Sequence, residues 1–244
     1  MEVIIAKNYE SLSELAAEKV AKVIKTKKYP KIGLPTGSTP MGMYKRLIDM
    51  NKRGEISFKD VVTFNLDEYE GLDKKNPSSY YRFMMENFFG HIDIDLKNAH
   101  IPDGTSNDIY KECTHYEEKI KLFGGIDLTV LGIGNNGHIG FNEPNTYFSK
   151  TTHRVKLHDD TIKVNSRFFS HIKDVPHYAI TMGIKSIMSS NSIMLLANGM
   201  KKAEAIKNTV EGPITPAAPA SILQLHDDVT VIVDEEAAAF LTDY

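Results

Sequence analysis

Leu128-Thr-Val-Leu-Gly-Ile-Gly-Asn-Asn-Gly-His-Ile-Gly-Phe-Asn-Glu-Pro144 opens as an apolar run and closes as a glycine-rich turn carrying His138 and Glu143. The stretch Leu128 to Ile133 has the pattern of a strand buried on both faces. A strand that ends in such a loop points to an open α/β sheet, whose sites lie beyond the carboxyl ends of the strands. Histidine is the side chain most readily poised to move protons near neutral pH, and Glu143, five residues further along the loop, can fold back to orient its ring. The glycines allow a sharp turn and a close approach to a ligand. Taken alone, a loop histidine is as easily a solvated bystander. Two other strand ends shift the balance.

The first is Lys31-Ile-Gly-Leu-Pro-Thr-Gly-Ser-Thr-Pro40, followed by Met41 to Met50, a short strand, a hydroxyl-rich glycine turn and a helix. Pro40 suits the first helical position, where its missing N–H would have no partner. Unpaired first-turn amides, the helix dipole and the hydroxyls of Thr36, Ser38 and Thr39 make an anion cradle suited to phosphate. A plain strand-to-helix turn needs the glycine and proline but has little use for clustered hydroxyls. The Gly-Lys-Ser/Thr ending of a nucleotide triphosphate loop is absent. The second strand end is Val61-Val-Thr-Phe-Asn-Leu-Asp-Glu-Tyr69, a β-branched and aromatic run that stops in two carboxylates. Asp67 is thereby aimed at the same crevice, with helix capping or ordinary loop solvation by Asp67 or Glu68 as the alternative.

Along the rest of the chain, strand-like and helical runs alternate without an internal repeat. Glu2 to Ala6 is a strand pattern, and Ser11-Leu-Ser-Glu14 reads as a capping box opening a helix toward Lys27. Ser78 to Phe89 and Asn107 to Lys121 are helical. Tyr178-Ala-Ile-Thr-Met182, Ser192-Ile-Met-Leu-Leu196 and Val229-Thr-Val-Ile-Val233 read as strands, with a helix from Met200 to about Val210 between the last two. The alternation predicts an α/β fold, a mostly parallel sheet with helices on both faces. No linker divides the 244 residues, so one catalytic domain is expected, with the irregular stretch Asn145 to Pro176 as a mobile flap over the site.

Composition narrows the function. A net charge of -3 with interspersed signs offers no basic stripe for nucleic acid, and no apolar run is long enough to span a membrane. One cysteine, Cys113, cannot form an internal disulfide, which fits a reducing cytoplasm, and no basic leader precedes Glu2. The nine histidines are dispersed, and no metal-binding motif appears. Gly132-Ile-Gly134 lacks the full dinucleotide spacing, and no Gly-x-Ser-x-Gly elbow supplies a serine nucleophile.

Gly33-Leu-Pro-Thr-Gly-Ser-Thr-Pro40, Phe64-Asn-Leu-Asp-Glu-Tyr69, Gly137-His-Ile-Gly-Phe-Asn-Glu-Pro144 and Asn165-Ser-Arg-Phe-Phe169, in this order, closely resemble the glucosamine-6-phosphate deaminases of the glucosamine/galactosamine-6-phosphate isomerase family. The likeness runs through nearly the whole chain. The related 6-phosphogluconolactonases share the glycine-histidine loop but are expected to continue it with Ala-Ser-Leu-Phe-Pro in place of Phe-Asn-Glu-Pro. The resemblance implies a modified Rossmann-like fold and reversible conversion of glucosamine 6-phosphate and water to fructose 6-phosphate and ammonia, in amino-sugar catabolism, with no metal or organic cofactor. It implies Asp67 as the base at C2, and His138, held by Glu143 and Asn136, as the ring-opening shuttle. The substrate phosphate would be gripped by Ser38 and Thr39 with Thr36 and Gly37, by Arg167 from the flap and by Lys202, with Gly137 also beside the substrate.

One position departs from the pattern. Where the best-known form of the family has an aspartate before Gly-His, this chain has Asn136, which can orient the ring but cannot stabilise imidazolium as an anion would. Ring opening is therefore expected to rely more on Glu143. Longer relatives use a C-terminal segment in a regulatory site for N-acetylglucosamine 6-phosphate, so weak or absent activation is expected of a chain ending at Tyr244. A monomer or small homo-oligomer acting on a small-molecule substrate is the expected form. Two alternatives remain, a lactonase, which Phe141-Asn-Glu143 and the intact Asp67 disfavour, and a non-catalytic sugar-phosphate sensor. No helix-turn-helix segment precedes Lys31 to favour the sensor.

Overall fold

The computed structural model of the chain describes residues 1–166 and 169–242. Strands and helices alternate through β1 (Glu2–Ala6), α1 (Tyr9–Thr26), β2 (Lys31–Leu34), α2 (Met41–Lys52) and β3 (Val62–Asn65). Next come β4 (Asp67–Tyr69), α3 (Tyr80–Asn87), β5 (Ala99–His100), α4 (Ile109–Leu122), β6 (Leu128–Gly132), β7 (His153–Lys156) and α5 (Asp159–Asn165). The chain continues through β8 (Tyr178–Thr181), α6 (Ile184–Met188), β9 (Ile193–Ala197), α7 (Ala203–Val210) and β10 (Val229–Asp234).

Seven strands form one wholly parallel sheet in the order β1-β10-β9-β6-β2-β3-β5. Both faces are covered. Ile193, Leu195 and Ala197 of β9 point into the core that holds Tyr116, Ile187 and Ile206 of α4, α6 and α7. Met194 and Leu196, the alternate residues, point into the core that holds Leu12, Tyr44 and Met84 of α1, α2 and α3. With no face left for water, every position of β9 must be apolar, and full burial contributes roughly 2 kcal/mol per leucine. The strand order also fixes where a ligand can enter. From β2 the chain runs outward through β3 to β5, returns to β6 on the other flank of β2, and runs out through β9 to β10. The crevice between the carboxyl ends of β2 and β6 is thus the switch point of the sheet.

The strand read over Val61 to Tyr69 divides in two. Leu66 N–H donates to Leu34 O in the parallel sheet, while Leu66 O accepts from Met182 N–H in a second sheet. One residue therefore hands the chain from one sheet to the other. β4 pairs antiparallel with β8, and β8 with β7, in the order β4-β8-β7. Tyr178 to Met182 thus belongs to this small sheet rather than the parallel one, because Asp67–Tyr69 offers it an open edge. The stretch Asn145 to Pro176 contains β7 and α5. Helix α1 begins ahead of the expected capping box: the Asn8 side chain accepts from Ser11 N–H at 2.9 Å and takes the capping position itself. Pro40 caps α2 one residue outside the expected first helical position.

Gly42 lies where α2 crosses α1, and a Cβ there would fall 2.1 Å from Ser13 Oγ and 2.7 Å from Ser13 Cβ. Gly42→Ala is expected to cost about 1–3 kcal/mol by overpacking. The check is the urea midpoint, which should fall at constant m-value. An unchanged midpoint would show that the two helices separate freely.

Candidate active site

The turn after β2 is braced from two sides. Gly37 takes φ +96°, which only glycine adopts without strain. The Tyr9 hydroxyl, from α1, accepts from Gly42 N–H at 2.8 Å and lies 3.1 Å from the carbonyl oxygens of both Ser38 and Thr39. Thr39 Oγ1 donates to Asn198 Oδ1 at 2.9 Å, just past β9. Two amides expected to stay open in the first turn of α2 are taken, Gly42 N–H by Tyr9 and Met41 N–H by Ser38 O at 3.3 Å. Thr36, Gly37, Ser38 and Thr39 nevertheless all line one cavity of about 620 Å³, where the turn presents its hydroxyls.

Asp67 opens on the same cavity although it is only 6% exposed. Its Oδ2 lies 3.5 Å from the point where a Cβ on Gly140 would sit, two residues along the loop from His138. No hydrogen bond reaches its carboxyl group from the described residues. Burial, helped by the neighbouring Glu68 carboxyl, pushes Asp67 up to about 8. Glu68 points the other way and does a different job. It accepts backbone N–H groups of Tyr69, Tyr80 and Tyr81 at 2.8, 2.9 and 2.8 Å and so caps α3. Of the alternatives left by sequence, capping falls to Glu68, while Asp67 opens on the cavity.

The β6 loop forms the proton-handling part. His138 Nδ1 lies 2.7 Å from Asn136 Oδ1 and 3.2 Å from Glu143 Oε2. Asn136 Nδ2 donates to Glu143 Oε2 at 2.7 Å, which turns Asn136 Oδ1 toward the ring. Both neighbours of Nδ1 are therefore acceptors, so Nδ1 carries the proton and neutral His138 keeps its lone pair on Nε2. The ring lies flat over Gly134, where a Cβ would come within 2.2 Å of His138 Cε1. Any larger residue at Gly134 would displace the imidazole. Glu143 is buried, which by itself would raise its carboxyl, yet hydrogen bonds and charge from His138, with bonds from Thr161 and Asn136, pull it down to about 2.

Eight of the eleven candidate residues line the cavity: Thr36, Gly37, Ser38, Thr39, Asp67, Asn136, His138 and Lys202. Glu143 stands behind His138 and reaches the cavity through it and through Asn136 and Thr161. Gly137 faces Ala218 and Pro219 instead, at φ +85°, and its carbonyl accepts from Ala220 N–H at 3.0 Å. Arg167 lies outside the described residues. The cavity also draws on residues that sequence reading passed over: Tyr80 of α3, and Thr161, Lys163 and Asn165 of α5. Asn165 opened a quoted motif, but nothing in the pattern marked Thr161 or Tyr80. Among the described residues no group of three metal-ligating side chains converges, and no helix is long and apolar enough to cross a membrane.

A carboxylate of raised basicity, an imidazole with a fixed tautomer and an oxygen-rich turn can together hold an anionic ligand and shuttle protons on it. The sequence compares closely with known proteins. The model of the glucosamine-6-phosphate isomerase/6-phosphogluconolactonase family matches residues 6–232. The chain is 56% identical over 243 residues to a glucosamine-6-phosphate deaminase of Thermoanaerobacter sp. (strain X514), covering 100% of this chain and 96% of the relative. It is 56% identical over 241 residues to that of Clostridium novyi (strain NT), covering 99% and 100%. A solved structure of a monomeric glucosamine-6-phosphate deaminase superposes with a TM-score of 0.96 at 46% identity, over 98% of this chain and 99% of that one.

The raised Asp67 carboxyl carries a stability consequence. Between the ordinary 3.8 and about 8 the unfolded chain ionises this group while the folded chain keeps its proton, so stability declines as pH rises through that window and stays reduced above it. Asp67→Asn removes the ionisation. Its melting temperature is expected to exceed that of the wild type by a margin that widens from about pH 4 to pH 8 and then levels off. A margin constant across that range would refute a desolvated, neutral carboxyl.

Proposed function

Because this chain belongs to the glucosamine-6-phosphate isomerase/6-phosphogluconolactonase family, we propose that it converts glucosamine 6-phosphate and water to fructose 6-phosphate and ammonia. The observation that carries this reading is the opening of Asp67 and His138 on one cavity with the hydroxyl-rich turn. The closed ring is opened first. His138 Nε2 takes the proton of the anomeric hydroxyl and returns it to the ring oxygen, while Glu143, ionised behind it, balances the transient imidazolium. Asp67 then takes the proton from C2, leaving an enolamine, and a proton is delivered to C1. The carbon skeleton now carries an imine at C2. Water adds there, ammonia leaves, and the ketone of fructose 6-phosphate remains.

Asp67 suits a weakly acidic carbon proton because desolvation raises its basicity. Ser38 and Thr39, with Thr36 and Gly37, hold the phosphate end together with Lys202 and Arg167, and the stretch Asn145 to Pro176 serves as a lid. Support for the lid comes from α5, whose Thr161, Lys163 and Asn165 already line the cavity. The protein acts as a monomer or small homo-oligomer in cytoplasmic amino-sugar catabolism.

Ammonia release from glucosamine 6-phosphate tests the reading directly. Asp67→Asn is expected to abolish both ammonia release and exchange of the C2 proton with solvent. His138→Gln should lower kcat by about 10²–10⁴. Since the base works only when ionised, kcat/KM should climb with pH up to about 8 in the wild type. Hydrolysis of a sugar-phosphate lactone without ammonia release, or binding of glucosamine 6-phosphate without turnover, would refute it.

A further inference from the structure

Glu143 has two oxygens with separate duties. Oε2 faces Asn136 Nδ2 at 2.7 Å and His138 Nδ1 at 3.2 Å. Oε1 accepts from Thr161 Oγ1, the side chain of a residue on a different element, α5. Thr161 is itself buried. One helical turn further along α5, Asn165 Nδ2 donates to Tyr69 Oη at 2.8 Å. Tyr80 Oη donates to the same Tyr69 oxygen at 3.3 Å and lies close to the Thr36 side chain. Helix α5 is therefore pinned at two points on one face. One pin ends on the carboxylate behind His138, and the other runs through two tyrosine hydroxyls to the oxygen-rich turn after β2.

A carboxylate held at Oε2 alone can still swing about its last side-chain bond and carry His138 with it. A donor at Oε1 removes that freedom. We propose that Thr161 is a positioning residue for the ring-opening step, locking Glu143 so that His138 stays aimed at the substrate, and that α5 thereby links the seating of the phosphate end to the readiness of the imidazole. This deepens the deaminase reading and rests on it for its kinetic consequence. Thr161 takes no place against the reacting atoms in this scheme. It acts through Glu143 and Asn136 on His138, in the manner of an outer partner that orients an inner one.

Thr161→Ala removes the hydroxyl while keeping a strong helix former at that position. Its kcat for glucosamine 6-phosphate is expected to fall about tenfold, the scale of one hydrogen bond to a charged group, with KM within about twofold. Thr161→Ser, which restores the donor without the methyl group, should recover most of the rate. A second readout needs no substrate: the proton resonance of His138 Nδ1–H should move in Thr161→Ala and return in Thr161→Ser. An unmoved resonance, or one that serine fails to restore, overturns the proposal. Should the wild type release no ammonia, the deaminase reading falls, and the resonance still decides whether Thr161 sets the imidazole.

Discussion

Two carboxylates buried to the same degree behave in opposite ways, and the site depends on that contrast. Asp67 is 6% exposed and Glu143 7% exposed. Glu143 receives donors from His138, Asn136 and Thr161 and stays ionised, falling to about 2. Asp67 receives none from the described residues and rises to about 8. Desolvation is common to both; hydrogen bonds and the charge of His138 lower Glu143, while the neighbouring Glu68 carboxyl adds to the rise of Asp67. Pushing a pair of titratable groups apart in this way gives one of them a proton to exchange and the other a fixed charge.

The fold makes this separation possible through the sheet's switch point. The turn after β2 and the loop after β6 leave neighbouring strands in the same direction, so they meet over one crevice. Asp67 reaches it by a different route. Leu66 hydrogen-bonds into both sheets, which sets Asp67 at the start of an antiparallel strand whose next residue, Glu68, is consumed in capping α3. Adjacent residues in a strand point to opposite sides. The two carboxylates of Asp67-Glu68 therefore divide between cavity and helix end without any special device.

Asn136 orients two neighbours at once. Its amide faces an acceptor-only carboxylate, which leaves its oxygen for the imidazole and fixes the tautomer. An aspartate there would place two anions within hydrogen-bond distance of each other. Among the described residues, Glu143 is left as the anion against the ring. The cost of burying that charge is met by three donors from two separate segments, the β6 loop and α5.

Much of this was legible in one dimension. The apolar run of β6, the proline-flanked turn after β2 and the glycine-histidine loop are local patterns, and local patterns survive folding because backbone geometry and burial of a whole strand impose them. They were sufficient for the parallel sheet, for the family, and for the meeting of Asp67, His138 and Ser38 at one cavity. What sequence could not show is where one sheet ends and another begins within Val61 to Tyr69, since no glycine or proline marks a break there and only pairing with β8 separates the two halves. Nor could it show that Gly137 turns away, that Glu68 is spent as a cap, or that Thr161 reaches Glu143. Those depend on contacts between segments far apart in the chain. Residue type and spacing set what chemistry was available, and the tertiary structure alone decided which groups lost their water, because desolvation belongs to a residue's surroundings and not to the residue.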